Sequence, residues 1–409
     1  MSEWTETTLG RVSEIVMGQS PPGTTYNEDG VGLPLINGPV EFGKRFPTAV
    51  QWTTAPTKTC NPDDVLICVR GSTTGRINIS NDTFCIGRGI AAIRGRSGLA
   101  TTPFLEFVLR ELAAEILEEA RGSGSTFPSI TGQRLAGAKV QIPNLSHQRR
   151  IAEILGTVDE AIEATEALIA KQQQVKAGLM HDLFTRGLTP TGQLRPPRAE
   201  APALYHETPL GWLPREWTVK CCHQVCSSII DCKNRTPPIT EEGHPVIRTP
   251  NVRHGRFVRT NLVYTDALSY QIWTARGKPQ VGDIVITREA PVGEVCMIPP
   301  EIDAACLGQR MMLYRPNPDH LDAYFLLHVL QSVGIQKRLD VISGGSTVGH
   351  VKVGDIRDLQ IPYPTPAEQL SIASILAPLE STLAAETARL AKLREQKQGL
   401  MQALLTPPG

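Results

Sequence analysis

The sequence predicts an α+β protein of two β-rich domains, each followed by a long helix, the two helices pairing as an antiparallel coiled coil with pseudo-two-fold symmetry. Three observations predict this: an internal repeat, strand-like runs in the front of each copy, and an apolar stripe of helical period in the back. The repeat comes first, because it sets the architecture. Gln148, Ile151, Ala152, Ile154 and Leu155 recur 221 residues later as Gln369, Ile372, Ala373, Ile375 and Leu376. The same displacement carries Gly178-Leu179-Met180 onto Gly399-Leu400-Met401, Ser125-Thr126 onto Ser346-Thr347, and Cys85 and Gly87 onto Cys306 and Gly308. Near the start of each copy it shortens, with Glu3-Trp4 matching Glu216-Trp217, as loops of unequal length would cause. A period of this size is far too long for a solenoid unit, so the chain is a duplicated domain pair.

The elements follow in order. Residues 1–145 form the first β-rich domain: short runs such as Val65-Leu66-Ile67-Cys68-Val69 lie between Gly, Pro and Asn clusters, with one helix from Pro103 to Ala120. Residues 146–186 form a long helix, whose stripe runs through Ile151, Ile154, Leu155, Val158, Ile162 and Leu168 and continues to Val175 and Leu179. Residues 187–209, rich in Pro and polar side chains, read as a linker. Residues 210–365 repeat the β-rich domain, with a strand at Asp283 to Thr287 and a helix from about His320 to Leu339. Residues 366–406 repeat the long helix through Ile372, Ile375, Leu376, Leu383, Leu390 and Leu393, and Pro378 predicts a kink or restart near its beginning. Neither helix buries such a stripe alone, and the other copy is the obvious partner.

Composition excludes several classes. With 41 basic against 41 acidic residues the net charge is zero, so nucleic-acid binding would have to come from local clusters. Apolar runs are too short for a membrane span and the N-terminus lacks signal-peptide character, so a cytoplasmic protein with reduced thiols is expected. Gly38 to Lys44 fits G-x-x-x-x-G-K, but Arg45 follows where a phosphate loop needs Ser or Thr. Asn61-Pro62-Asp63-Asp64 lacks the second Pro and the aromatic platform of an amino-methyltransferase loop. Asp64 and Asp283 precede equivalent strands, which points to turn chemistry. Cys221, Cys222, His223, Cys226 and Cys232 are dense in soft ligands but lack a C-x-x-C pair, and Cys222 aligns with apolar Leu9. No metal is therefore assigned.

Charge is distributed unevenly. Lys44, Arg45, Arg70, Arg76 and Arg88 cluster in the first front domain, and Lys233, Arg235, Arg253, Arg256 and Arg288 in the second. A solvated surface of mixed charge would account for any one cluster. Their presence in both copies points to DNA, with Lys and Arg on phosphates and Arg on base edges. Ser125-Thr126 and Ser346-Thr347 are weaker candidates, since a glycine-flanked Ser-Thr pair also makes a turn.

The segment Gly124-Ser125-Thr126 to Ile130, Ile142-Pro143, Gln148 and Ile151 to Leu155 appears again as Gly345-Ser346-Thr347, Val351, Ile361-Pro362, Glu368-Gln369 and Ile372 to Leu376. In this the chain resembles the specificity subunits of type I restriction-modification systems over essentially its whole length, departing at His147 and Pro378. The resemblance implies two target recognition domains that read two unlike half-sites of a bipartite double-stranded DNA target. It also implies a helical scaffold holding two methylation subunits and joined by restriction and translocation subunits. The chain itself would be non-catalytic and without cofactor, S-adenosylmethionine, ATP and Mg being on the partners. The alternatives are a targeting subunit of a type II enzyme that cuts on both sides of its site, and a coiled-coil interaction scaffold that does not bind DNA.

Overall fold

A computed structural model describes residues 4–121, 128–344 and 349–407. The chain divides into two compact units, residues 1–167 with 388–409, and residues 168–387. Each unit therefore holds one β-rich domain, the first half of the helix that follows it and the second half of the other long helix.

In the first unit the strands Ser13–Met17, Ile90–Gly95, Val65–Cys68 and Ile77–Ile79 make, in that order, a four-stranded antiparallel sheet. Val65–Cys68 is buried along its whole length, which is why it reads as an uninterrupted apolar run. A second sheet of five short strands contains a parallel pair, Leu33–Ile36 beside Phe84–Ile86. The helix Thr102–Arg121 supplies Phe104, Leu105, Val108 and Leu109 to the core. The second unit repeats this plan with Cys226–Asp231, Met311–Pro316, Ile284–Arg288 and Val292–Met297, and with His244–Ile247 parallel to Cys306–Leu307. The alignment of Cys222 with Leu9 holds in space: each opens a four-residue helix, Leu9–Val12 or Cys222–Val225, and each is fully buried. Burial pushes the Cys222 thiol well above its ordinary value and that of Cys226 up to about 12. Among the described residues no cluster of His, Cys, Asp or Glu is arranged to hold a metal ion.

The polar residues picked out by the repeat are structural ties. Gln148 is fully buried, its Oε1 accepting from Thr101 N (2.9 Å) and its Nε2 donating to Leu99 O (3.0 Å) and Pro143 O (2.9 Å). Gln369 makes the same three bonds with Asp322 N, His320 O and Pro364 O. One amide thus joins the start of each long helix to the turn before the front helix and to the proline loop. Asp64 and Asp283 close turns by accepting from Asn61 N and Gln280 N, both at 2.8 Å, and each takes a two-pronged bond from an arginine, Arg94 or Arg315. That bond holds both guanidinium groups above their ordinary pKa.

Four expectations need correction. The second front helix is broken into Ala323–Gln331 and Val333–Ile342 by an extended Ser332, and Gln336 Nε2 donates to Leu330 O (2.7 Å), satisfying a carbonyl that the break exposes. The helix Pro366–Leu405 continues through Pro378 without a restart. The segment expected as a linker is folded onto the second unit: Leu188, Arg195 and Tyr205 are buried, Thr189 N donates to Gln193 O (2.7 Å), and Tyr205–Thr208 pairs with Gly211–Pro214. The apolar stripe, finally, is not a uniformly buried seam. Leu168 (39% exposed), Val175 (54%) and Ile375 (37%) face water, while Ile154, Val158, Ile162, Leu390 and Leu393 are half-buried.

Burial is concentrated at the helix ends, because each end packs on a β-rich domain. In Leu145–Thr185, Ile151 and Leu155 enter the core of the first unit, and Met180, Leu183 and Phe184 that of the second. In Pro366–Leu405, Ile372 and Leu376 enter the core of the second, and Leu400, Met401 and Leu404 pack against that of the first. Among the described residues no helix is long and apolar enough to cross a membrane.

Candidate nucleic-acid interface

At one end of the four-stranded sheet of the first unit, loops 18–22, 69–76 and 87–89 meet the segment 128–130. Backbone bonds knit them together: Gly18 N to Ile90 O, Val69 N to Gly89 O, Gly71 N to Pro128 O and Ile130 N to Val69 O, all between 2.8 and 3.0 Å. Gly18 is required here, since a Cβ would strike the carbonyl oxygen of Gly87. Arg70 bridges to Ser129 through its backbone, and Arg88 N donates to Ser20 Oγ (3.3 Å). Both arginine side chains are exposed and without a side-chain partner among the described residues. The structure thus brings Arg70 and Arg88 together with the polar side chains of Gln19 and Ser20, which sequence reasoning missed.

The second unit builds the same end from equivalent bonds, Arg288 N to Arg310 O (2.9 Å) and Val351 N to Arg288 O (3.1 Å), with Glu289 bridging to His350. Arg288 occupies the place of buried Val69 and is itself 7% exposed, with Nη1 on Val351 O (3.3 Å). It is a buried strand residue and not an exposed cation. Lys233 and Arg235 lie over the ring of Trp273, at 5.0 and 5.3 Å from its centroid, and Trp273 Nε1 donates to Arg235 O (2.9 Å). This makes a cation-rich aromatic patch on the helix Ala267–Trp273.

The other expected basic residues are engaged within the protein. Arg76 donates to Pro39 O (3.1 Å) and Phe42 O (2.8 Å), and Arg253 to Thr249 O (2.8 Å) and Val252 O (2.9 Å). Lys44 pairs with Glu166 (2.7 Å), Arg45 with Glu163 (3.6 Å), and Arg256 donates to Glu380 O (3.2 Å). Bonds from Lys44 and Arg394 hold the Glu166 carboxyl below its ordinary range. Lys44, Arg45 and Arg256 thus tie loops of the β-rich domains to the long helices. Ser125, Thr126, Ser346 and Thr347 lie outside the described residues.

Comparison with known proteins decides the family. The model of the type I restriction modification DNA specificity domain matches twice, over residues 1–174 and 214–395. The chain belongs to this family, that of the type I specificity subunits. It is 34% identical over 185 residues to the putative type I restriction enzyme MjaX specificity subunit of Methanocaldococcus jannaschii, covering 45% of this chain and 43% of that protein. To the MjaVIII specificity subunit of the same organism it is 22% identical over 355 residues, or 85% of this chain and 79% of that protein. The chain thus spans under half the length of the first of these relatives. Two solved structures share the fold. One, the S subunit of a type I restriction-modification system from M. genitalium, has TM-score 0.66 and 15% identity over 100% of this chain and 97% of that one. The other, from work on assembly and conformational transition of a type I system, has TM-score 0.51 and 20% identity over 98% and 97%.

Proposed function

We propose that this chain chooses the DNA sequence on which a type I restriction-modification complex acts. Its two β-rich domains would read unlike half-sites of one bipartite double-stranded target. The observation that carries this reading is the duplicated loop cluster, which offers Arg70 and Arg88 in the first domain and Arg310 in the second, at the same sheet end. Guanidinium forks suit guanine edges in the major groove, and neighbouring cations such as Lys233 and Arg235 suit phosphates. Because the side chains at the cluster differ between domains while the backbone bonds agree, the two half-sites should differ. Catalysis would belong to partners: two methylation subunits using S-adenosylmethionine, and restriction and translocation subunits using ATP and Mg.

The long helices would pair antiparallel and set the unread gap between half-sites. Lys397 pairs with Asp159 in the first unit and Lys176 with Glu380 in the second, both at 2.5 Å. Moving 17 residues along one helix, from 159 to 176, therefore moves 17 back along the other, from 397 to 380. This favours an antiparallel register locked by charge at two points. Inserting four helical residues between the locks in both helices keeps both ion pairs and adds about 6 Å. In the assembled complex the methylated motif should then keep its specified bases and gain about two base pairs of gap, at 3.4 Å each. Changed bases with an unchanged gap would refute this division of labour.

A further inference from the structure

In the loop cluster of the second domain one arginine is held in a way that the first domain does not repeat. Cys306-Leu307-Gly308-Gln309-Arg310 stands where the first domain has Cys85-Ile86-Gly87-Arg88-Gly89. Arg310 thus replaces a glycine, and its backbone is left-handed, φ 73°. An L side chain is disfavoured there, and nothing in the core requires one, since the side chain is 44% exposed. The side chain is nonetheless held in place. Its Nε is buried 3.0 Å from Glu289 Oε2, off the direction of a good hydrogen bond, while the other oxygen of Glu289 is 2.5 Å from His350 Nδ1. Both carboxylate oxygens are occupied, and the two terminal nitrogens of Arg310 have no partner among the described residues.

We propose that Arg310 is a specificity-determining residue of the second domain, presenting its guanidinium fork to the O6 and N7 edge of a guanine, with Glu289 as its positioning residue. This rests on the DNA-reading function proposed above. A backbone strained to carry an arginine, and an acid that ion-pairs beside its inner nitrogen while leaving the outer pair free, favour a two-pronged reader. A phosphate contact needs neither, because a mobile cation serves as well.

The test uses the full chain assembled with its methylation subunits and S-adenosylmethionine, acting on DNA randomised across the target. In Arg310→Gly, which relieves the left-handed strain and restores the residue of the first domain, discrimination at a single G·C pair of the second half-site should fall on the order of 10- to 100-fold. The first half-site and the gap should stay as in wild type. Arg310→Lys should not restore the preference, because an ammonium lacks the planar fork. Glu289→Gln should lower it at the same base pair by a smaller factor, and it carries the test should Arg310→Gly fail to fold. A uniform loss across all sequences, unchanged discrimination, or a change in the first half-site would overturn the assignment. A wild-type complex with no sequence preference would instead overturn the DNA-reading function beneath it.

Discussion

Replacing Arg195 by alanine should destabilise the second unit by about 3–5 kcal/mol, the size expected when one partner of a buried ion pair is removed. The side chains of Arg195 and Glu368 are 7% and 9% exposed, and Nη1 lies 2.7 Å from Oε1. Glu368 also accepts from Leu188 N (2.7 Å) and Trp217 Nε1 (3.0 Å), joining the segment after the first long helix, the start of the second domain and the start of the second long helix. Gly187 sits against this network with φ 62°, and a Cβ there would strike both Glu368 and Trp217. Without the guanidinium the carboxylate stays buried with two neutral donors and no counter-charge. Urea unfolding followed through Trp217 should show the lowered midpoint. The equivalent position in the first repeat is His147, exposed, its ring bonded among the described residues to Asn144 alone, so His147→Ala should shift stability by less than about 0.5 kcal/mol. Equal effects at the two positions would contradict this account.

The second large effect is one of pH. His328 is fully buried, neither ring nitrogen has a hydrogen-bond partner among the described residues, and burial lowers its pKa to about 4. The carboxylate of Glu380, 3.6 Å from Nδ1, and that of Asp322 oppose this shift, while the Lys176 ammonium adds to it. As pH falls from about 6.5 to about 4 the unfolded chain takes up a proton that the folded chain refuses. Stability is therefore full above the unfolded value and is lost on acidification, by about 2–3 kcal/mol over that window. The first repeat has Phe107 at this place, with Lys397 5.8 Å from the ring centroid. His328→Phe should accordingly remove this component, leaving a variant less acid-sensitive than the wild type between pH 6.5 and 4. Superimposable pH profiles would rule out a neutral buried imidazole.

The repeat made most of the fold legible. It marked the stretches that fold as the long helices Leu145–Thr185 and Pro366–Leu405 and the buried glutamine in the first turn of each. Pattern alone misjudged elements that tertiary contacts override. Ser332 breaks a helix whose apolar period runs on, since Gln336 replaces the lost backbone bond. The Pro-rich segment after Gly187 is ordered by the Arg195–Glu368 pair, whose halves lie 173 residues apart. Basic clusters were visible, but not which cations were already engaged: Arg76 holds backbone carbonyls, Lys44 a helix acid, and Arg288 is a strand residue. Arg310 carried a faint signal, an arginine aligned with Gly89, which gains meaning only with its backbone angle and the nearness of Glu289.

The central claim, two reading domains separated by a rigid helical gap, is tested most directly by mapping methylated adenines in the DNA of cells that carry the intact system. One motif is expected, with two unlike specified halves and a constant run of unspecified bases between them. An uninterrupted motif, two identical halves, or a gap that varies from site to site would contradict it.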